Sequence, residues 1–248
     1  MLELEGISKR FGGVTALDGV SLAVAAGEVV GLIGPNGAGK TTLFHVVSGF
    51  LRPDRGGVRF RGRDLVRLPP HTICRLGLAR TFQIVQPFTQ LSVVDNVAVG
   101  YLFGRHGGRA GIRETRDAAQ RLLDLLDLRA VAYQPAGTLN LAERKRLELA
   151  RALATGPRLL CLDEVMSGLM PAELDRMAEV VLRLCAELDL TLLMVEHNVR
   201  LVTRICRRVV VLNFGQVIAD GTPEAVMANQ QVIAAYLGDR HARNAAGA

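Results

Sequence analysis

The sequence predicts an α/β chain, a parallel sheet with helices on both faces. Three observations carry that prediction. Gly34-Pro35-Asn36-Gly37-Ala38-Gly39-Lys40-Thr41 fits a phosphate-binding loop, and it stands between an apolar strand-like run, Glu28 to Ile33, and a helix-like one, Thr42 to Ser48. Leu159-Leu160-Cys161-Leu162-Asp163-Glu164 is a second apolar run, closed by two acids. Strand and helix patterns then alternate to the end of the chain.

Taken in order, Leu2 to Ile7 and Val14 to Val24 alternate as strands, with Gly12-Gly13 and Ala26-Gly27 as turns. Val58 to Phe60 follows as a short strand after Gly56-Gly57. Beyond Pro69-Pro70 the texture turns helical, and Arg113 to Leu128 sets leucines among charges as an amphipathic helix does. Gly104 to Gly111 reads as a mobile Gly/Arg loop. A second αβ series gives a helix over Leu139 to Ala154, a strand over Arg158 to Asp163 and a helix over Pro171 to Leu188, opened by its proline. Thr191 to Val195 is a strand, His197 to Ile205 a helix, and Arg208 to Asn213 a strand turned by Gly215 into Gln216 to Ala219. Thr222-Pro223 has the form of an N-cap and first helical residue. The small, polar tail from Gly238 is expected to be disordered.

The chemistry explains the loop. Its glycines let backbone N–H groups converge on phosphate oxygens, and the following helix N-terminus adds partial positive charge. Lys40 supplies a point charge for β- and γ-phosphates, and Thr41 a hydroxyl for Mg²⁺. Asp163 at a strand end suits Mg²⁺, and Glu164 suits a base for an attacking water. Only Lys9, Lys40 and Lys145 are lysines, and none lies in a guanine-reading Asn/Thr-Lys-x-Asp context. His-Arg-Asp and Asp-Phe-Gly are absent, which excludes a protein kinase. ATP is the expected nucleotide.

Composition narrows the rest. At 248 residues and 49% apolar content, the chain can build one large α/β domain. No run of 18 apolar residues exists, and Met1-Leu2-Glu3-Leu4-Glu5 is unlike a signal peptide, so a cytoplasmic protein is expected. Cys74, Cys161, Cys185 and Cys206 are widely spaced, as reduced, mostly buried thiols. The formal charge of +6 comes from scattered arginines without aromatic partners, so no nucleic-acid partner is expected.

These motifs together resemble the ATP-binding subunits of ABC transporters, from Leu2 to about Leu237. Phe11 is similar to the family's adenine-stacking aromatic. Gly34 to Thr41, followed by Thr42, is similar to Walker A. Gln83, in Arg80-Thr81-Phe82-Gln83, resembles the Q-loop glutamine that contacts Mg²⁺ or water and faces the transmembrane partner. Leu139 to Glu143 sits at the signature sequence, Leu159 to Glu164 at Walker B, and His197 at the γ-phosphate-sensing switch histidine. The resemblance implies a RecA-like P-loop NTPase core, an N-terminal antiparallel β subdomain and an inserted α-helical subdomain. It implies one ATP-binding domain over residues 1–237, with the insert at about 88–150 and the tail at 238–248.

Arg80 to Gln83, Leu91 to Val97, Asp220 to Glu224 and Val232 to Gly238 look like the LivG-type subunit of branched-chain amino acid importers. The resemblance then implies ATP and Mg²⁺, two permease subunits, a second ATPase and an extracytoplasmic solute-binding protein, with this chain peripheral on the cytoplasmic face of the membrane. A weakly hydrolysing regulatory subunit and the ATPase of a lipopolysaccharide-type exporter remain alternatives. The chain also departs from the family. The signature Leu-Ser-Gly-Gly-Gln is Leu139-Asn140-Leu141-Ala142-Glu143, and the D-loop aspartate position holds Met170. In the family a signature grips the nucleotide bound to the opposite subunit. Asn140 and Ala142 are therefore expected to alter the partner's site and not this chain's own, which favours a heterodimer.

Overall fold

The computed structural model describes residues 1–83, 86–105, 107 and 111–237. In chain order these begin with β1 (Leu2–Phe11), β2 (Val14–Val24), β3 (Val29–Ile33), α1 (Lys40–Val47), β4 (Arg55–Phe60) and β5 (Arg63–Asp64). Next come α2 (Pro70–Leu76), β6 (Leu78–Arg80), α3 (Val93–Phe103), α4 (Ile112–Leu125), α5 (Leu141–Ala154), β7 (Leu159–Asp163) and α6 (Pro171–Leu188). The chain continues with β8 (Thr191–Val195), α7 (Val199–Ile205), β9 (Arg208–Asn213), β10 (Gln216–Gly221) and α8 (Pro223–Met227), and residues 230–237 are helical. One sheet has the order β2-β1-β4-β5, the other β10-β9-β3-β8-β7-β6. The chain divides into two compact units, one of Met1–Pro69 with the chain from Leu193 on, the other of Pro70–Leu192.

In the first unit β1 pairs antiparallel with β2 and with β4, so alternate residues share a face. Leu2, Leu4 and Ile7 point inward with Leu17, Val58 and Phe60. β3 runs parallel to β9, Val30 opposite Arg208 and Ile33 opposite Val211, and Val209 to Leu212 are buried on both faces, as a parallel strand requires. Arg208 binds Asp220 in a two-point fork, Nε to Oδ1 and Nη2 to Oδ2 at 2.6 Å each, and reaches Glu28 and the Ala23 carbonyl with Nη1. These carboxylates hold its guanidinium more firmly protonated than usual.

In the second unit α3, α4 and α5 bury Val93, Val97, Ala119, Leu122, Leu123 and Leu147. Asn96 is wholly buried: its Oδ1 accepts from the Phe88 N–H at 2.9 Å, and its Nδ2 faces the Phe88, Leu91 and Ser92 carbonyls. The turn after α4 is held from two other helices, with Arg146 Nη1 donating to the Asp127 carbonyl and Arg176 Nε to its carboxylate.

Several expected boundaries shift. The chain at Leu78–Arg80, expected to be helical, is a strand parallel to β7. α7 begins at Val199 and not at His197, because Asn198 caps it by accepting from the Leu201 N–H. Thr222 does cap α8, with Pro223 at its first position. None of the four cysteines is in a disulfide, and two are buried and two half-buried; burial pushes Cys161 up to about 12 and Cys185 up to about 11. The expected tail, residues 238–248, lies outside the described residues, as does part of the expected loop over Gly104 to Gly111. Among the described residues no helix is long and apolar enough to cross a membrane.

Candidate active site

The phosphate loop belongs to the first unit and is built by close backbone packing. Gly34, at φ +152°, lies so near β9 that a Cβ there would fall 2.1 Å from the Leu212 carbonyl oxygen. Gly39, at φ +104°, precedes α1, and its Cβ would fall 2.5 Å from the Ala16 carbonyl oxygen. Only glycine fits either place. The Gly215 N–H donates to the Ala38 carbonyl and the Asp18 N–H to that of Gly215, so the loop is fastened at its centre. Pro35 and Ala38 are buried, and Asn36 and Gly37 are exposed. Lys40 is 5% exposed, and its Nζ donates to the Gly34 and Pro35 carbonyls at 2.7 and 2.9 Å, curled against the loop it serves. Thr41 is exposed and Thr42 half-buried in the first turn of α1. Phe11 stands half-exposed where β1 turns into β2, with Lys9 Nζ 5.8 Å from its ring centroid. His197 is exposed in the loop between β8 and α7.

The acids belong to the second unit, and β6 explains their partners. Parallel pairing sets Leu78, Ala79 and Arg80 beside Leu159, Leu160 and Cys161, so the chain leaving β6 runs along the acidic end of β7. Arg80 Nη2 meets Asp163 Oδ2 at 2.6 Å, with both side chains buried. Thr81 Oγ1 accepts from the Asp163 N–H at 3.0 Å. The Phe82 N–H donates to Glu148 Oε1 of α5. Gln83 Nε2 donates to Glu164 Oε2 at 2.9 Å. Glu164 itself is 8% exposed and has φ +50°, which turns the chain sharply off the strand. Lys145, also buried, extends from α5 to within 3.5 Å of the Glu164 carbonyl.

Within the second unit the structure thus brings Gln83 to Glu164, the chain neighbour of Asp163. Arg80, Thr81, Lys145 and Glu148 were given no role in the sequence. Their signal was the short strand β6, opened by Gly77 at φ +102° and too brief for periodicity to reveal. Burial raises the Glu148 carboxyl above the usual range, against the pull of the Phe82 amide, Lys145 and Arg151.

At the start of α5, Asn140 and Glu143 form a reciprocal capping box. Asn140 Oδ1 accepts from the Glu143 N–H and Glu143 Oε2 from the Asn140 N–H, each at 2.9 Å. Ala142 is buried, while Asn140 is exposed and Leu141 is 48% exposed. Met170 occupies the cap position of α6 and is 68% exposed; it offers no side-chain acceptor, although Glu173 still accepts from its N–H at 2.8 Å.

The donor sets fit a magnesium-bound nucleotide. In the first unit the loop sets Lys40 and the Thr41 hydroxyl at the start of α1, groups that suit an anion and a hard cation; in the second, taken by itself, Asp163 and Glu164 are hard oxygen donors. Among the described residues no three of His, Cys, Asp and Glu gather to hold a metal alone.

Residues 17–167 match the ABC transporter family model, and residues 216–242 match that of the branched-chain amino acid ATP-binding cassette transporter. The chain is 41% identical to the high-affinity branched-chain amino acid transport ATP-binding protein BraF of Pseudomonas aeruginosa, over 96% of this chain and 98% of the relative. It is 37% identical to LivG of Escherichia coli K12, described in the same words, over the same shares. The lipopolysaccharide export system ATP-binding protein LptB of Acidithiobacillus ferridurans is 36% identical over 97% and 98%. Among solved structures, the ADP conformation of an ATP-binding cassette of an ABC transporter superposes with a TM-score of 0.87 at 33% identity, covering 96% of this chain and 98% of that one. With the phosphate loop and the paired acids in place, the chain belongs to the ABC transporter family, as one of its ATP-binding proteins.

Proposed function

We propose that this protein hydrolyses ATP to energise an importer of branched-chain amino acids or related small polar solutes. The observation that carries the ATPase reading is the buried acidic end of β7, where Gln83 holds the Glu164 carboxylate beside Asp163. The loop N–H groups from Gly34 to Gly39, the start of α1 and Lys40 bind the phosphates, and Phe11 stacks on adenine. Thr41, Asp163 and Gln83 hold Mg²⁺, which when bound neutralises charge on the phosphates. Glu164 takes the proton of the attacking water, oriented by Gln83, and His197 meets the γ-phosphate. Lys40 must exchange a carbonyl contact for phosphate, and Arg80 must share Asp163 with the metal.

Asn140, Ala142 and the start of α5 serve the nucleotide of a second ATPase, and two permeases receive the resulting motion at the cytoplasmic face. An extracytoplasmic binding protein supplies the solute. The match of residues 216–242 to the branched-chain model supports import over lipopolysaccharide-type export. The complete acid pair supports turnover over a purely regulatory role.

The test is to trap the Glu164→Gln form with ATP in its native cell and identify what co-purifies from membranes. Two permeases with a second ATPase are expected, and the adjoining binding protein should take leucine, isoleucine or valine. Ribosomes, or no membrane protein, would overturn the reading; an export assembly would overturn the import half of it.

A further inference from the structure

Glu148 is used by no step above, yet it sits where a carboxylate is costly. It is 7% exposed, its Oε2 is buried with no hydrogen bond among the described residues, and an apolar residue would fill the same space on α5 more cheaply. What it does is accept from the Phe82 N–H. That bond lies just past the end of the β6–β7 ladder. Ladder pairing between β6 and β7 stops at Arg80, and the last backbone bond to β7 is from the Thr81 N–H to the Cys161 carbonyl at 3.0 Å. The Phe82 ring points outward, 44% exposed, with the Arg80 guanidinium 5.4 Å from its centroid. The next residue is Gln83, whose amide must meet Glu164.

We propose that Glu148 is a positioning residue for the reaction: by holding the Phe82 amide it aims Gln83 at Glu164 and ties that aim to α5, whose N-terminus carries Asn140. Lys145 and Arg151, one turn to either side, supply the charge that keeps the carboxylate in place. The inference rests on the ATPase reading above, and Glu164→Gln separates the two.

The pair Glu148→Met and Glu148→Gln isolates the acceptor, because both keep the length of the side chain and only Gln keeps an oxygen there. Three quantities are measured: melting temperature, amide exchange at Phe82 and Gln83 in the soluble subunit, and ATP turnover of the assembled transporter. Glu148→Met is expected to melt no lower than wild type, to exchange the Phe82 amide at least ~10-fold faster, and to lose about 10-fold in kcat with KM for ATP unchanged, as a misaimed catalytic group does. Glu148→Gln should restore both exchange and kcat. In Gln83→Ala, Glu148→Met should cost nothing further, because the two act in one chain of contacts. Unchanged kcat and exchange in Glu148→Met, or a loss that multiplies with Gln83→Ala, would overturn the proposal. If Met prevents folding, Glu148→Asp decides: it keeps the charge and shortens the reach, so kcat falls if the amide contact matters and holds if it does not. Wild-type turnover abolished by Glu164→Gln but untouched by Glu148→Met leaves the ATPase standing and removes only this inference. Were wild type to show no turnover, the ATPase reading would fall, and the exchange data alone would decide the role of Glu148.

Discussion

Glu164 holds a left-handed backbone that costs an ordinary residue about 1–2 kcal/mol. The turn keeps its carboxylate against Gln83 and off the axis of β7. If Glu164 is the base, Glu164→Gln should bind ATP normally and lose ~10²–10⁴ in turnover, measured on the assembled complex. Met170 gives a second prediction at this scale. It is a cap without an acceptor, so Met170→Asp should raise stability by about 1 kcal/mol, read as a higher midpoint in urea. An unchanged midpoint would mean that Glu173 alone satisfies this helix start. The phosphate loop and both acids were legible in the sequence because their chemistry demands particular residues at particular spacings. Arg80 and Glu148 were not, because a charged side chain in a sequence carries no mark of burial.

At the scale of elements, Asn96 is the polar knot of the three-helix group. Asn96→Ala leaves the Phe88 N–H without its acceptor, while the Phe88, Leu91 and Ser92 carbonyls keep their backbone donors, and should cost about 1–3 kcal/mol by denaturant titration. Glu148 sets a pH dependence whose sign follows from its raised carboxyl. The folded state holds that proton more tightly than the unfolded chain, so stability is lost as pH rises from the unfolded value through the folded one. Glu148→Gln should therefore melt above wild type at pH 7.5, with the gap closing near pH 4. A gap that grows on acidification would reverse the assignment.

The long elements were legible from periodicity, and β7, β8 and β9 from continuous apolar runs. β6 was not, since three residues show no period, and its strand conformation comes from pairing with β7. The start of α5 was misplaced for a different reason. Asn140 and Glu143 stand three apart, the spacing of a capping box, which is masked by their place in an altered signature.

For the whole molecule, this chain contributes complete phosphate-loop and acid sets and an altered signature. In a heterodimer the site using its own loop and acids should turn over ATP faster than the site using its Asn140 and Ala142. Equal turnover at the two sites, resolved by disabling each ATPase in turn, would contradict the asymmetry. The overall class and family were legible because six short motifs fall in a fixed order along nearly the whole chain. The transported solute was not, because the motifs that place the chain in its family are those of nucleotide binding.

Hydrolysis at Glu164 is proposed to drive solute import. It is tested most directly by branched-chain amino acid uptake into proteoliposomes carrying the assembled transporter, with ATP on the side of this subunit and loaded binding protein on the other. Wild type should accumulate leucine as ATP is consumed, and Glu164→Gln should bind ATP while uptake and hydrolysis fall together by ~10²-fold or more. Uptake that continues unchanged in Glu164→Gln would contradict the account.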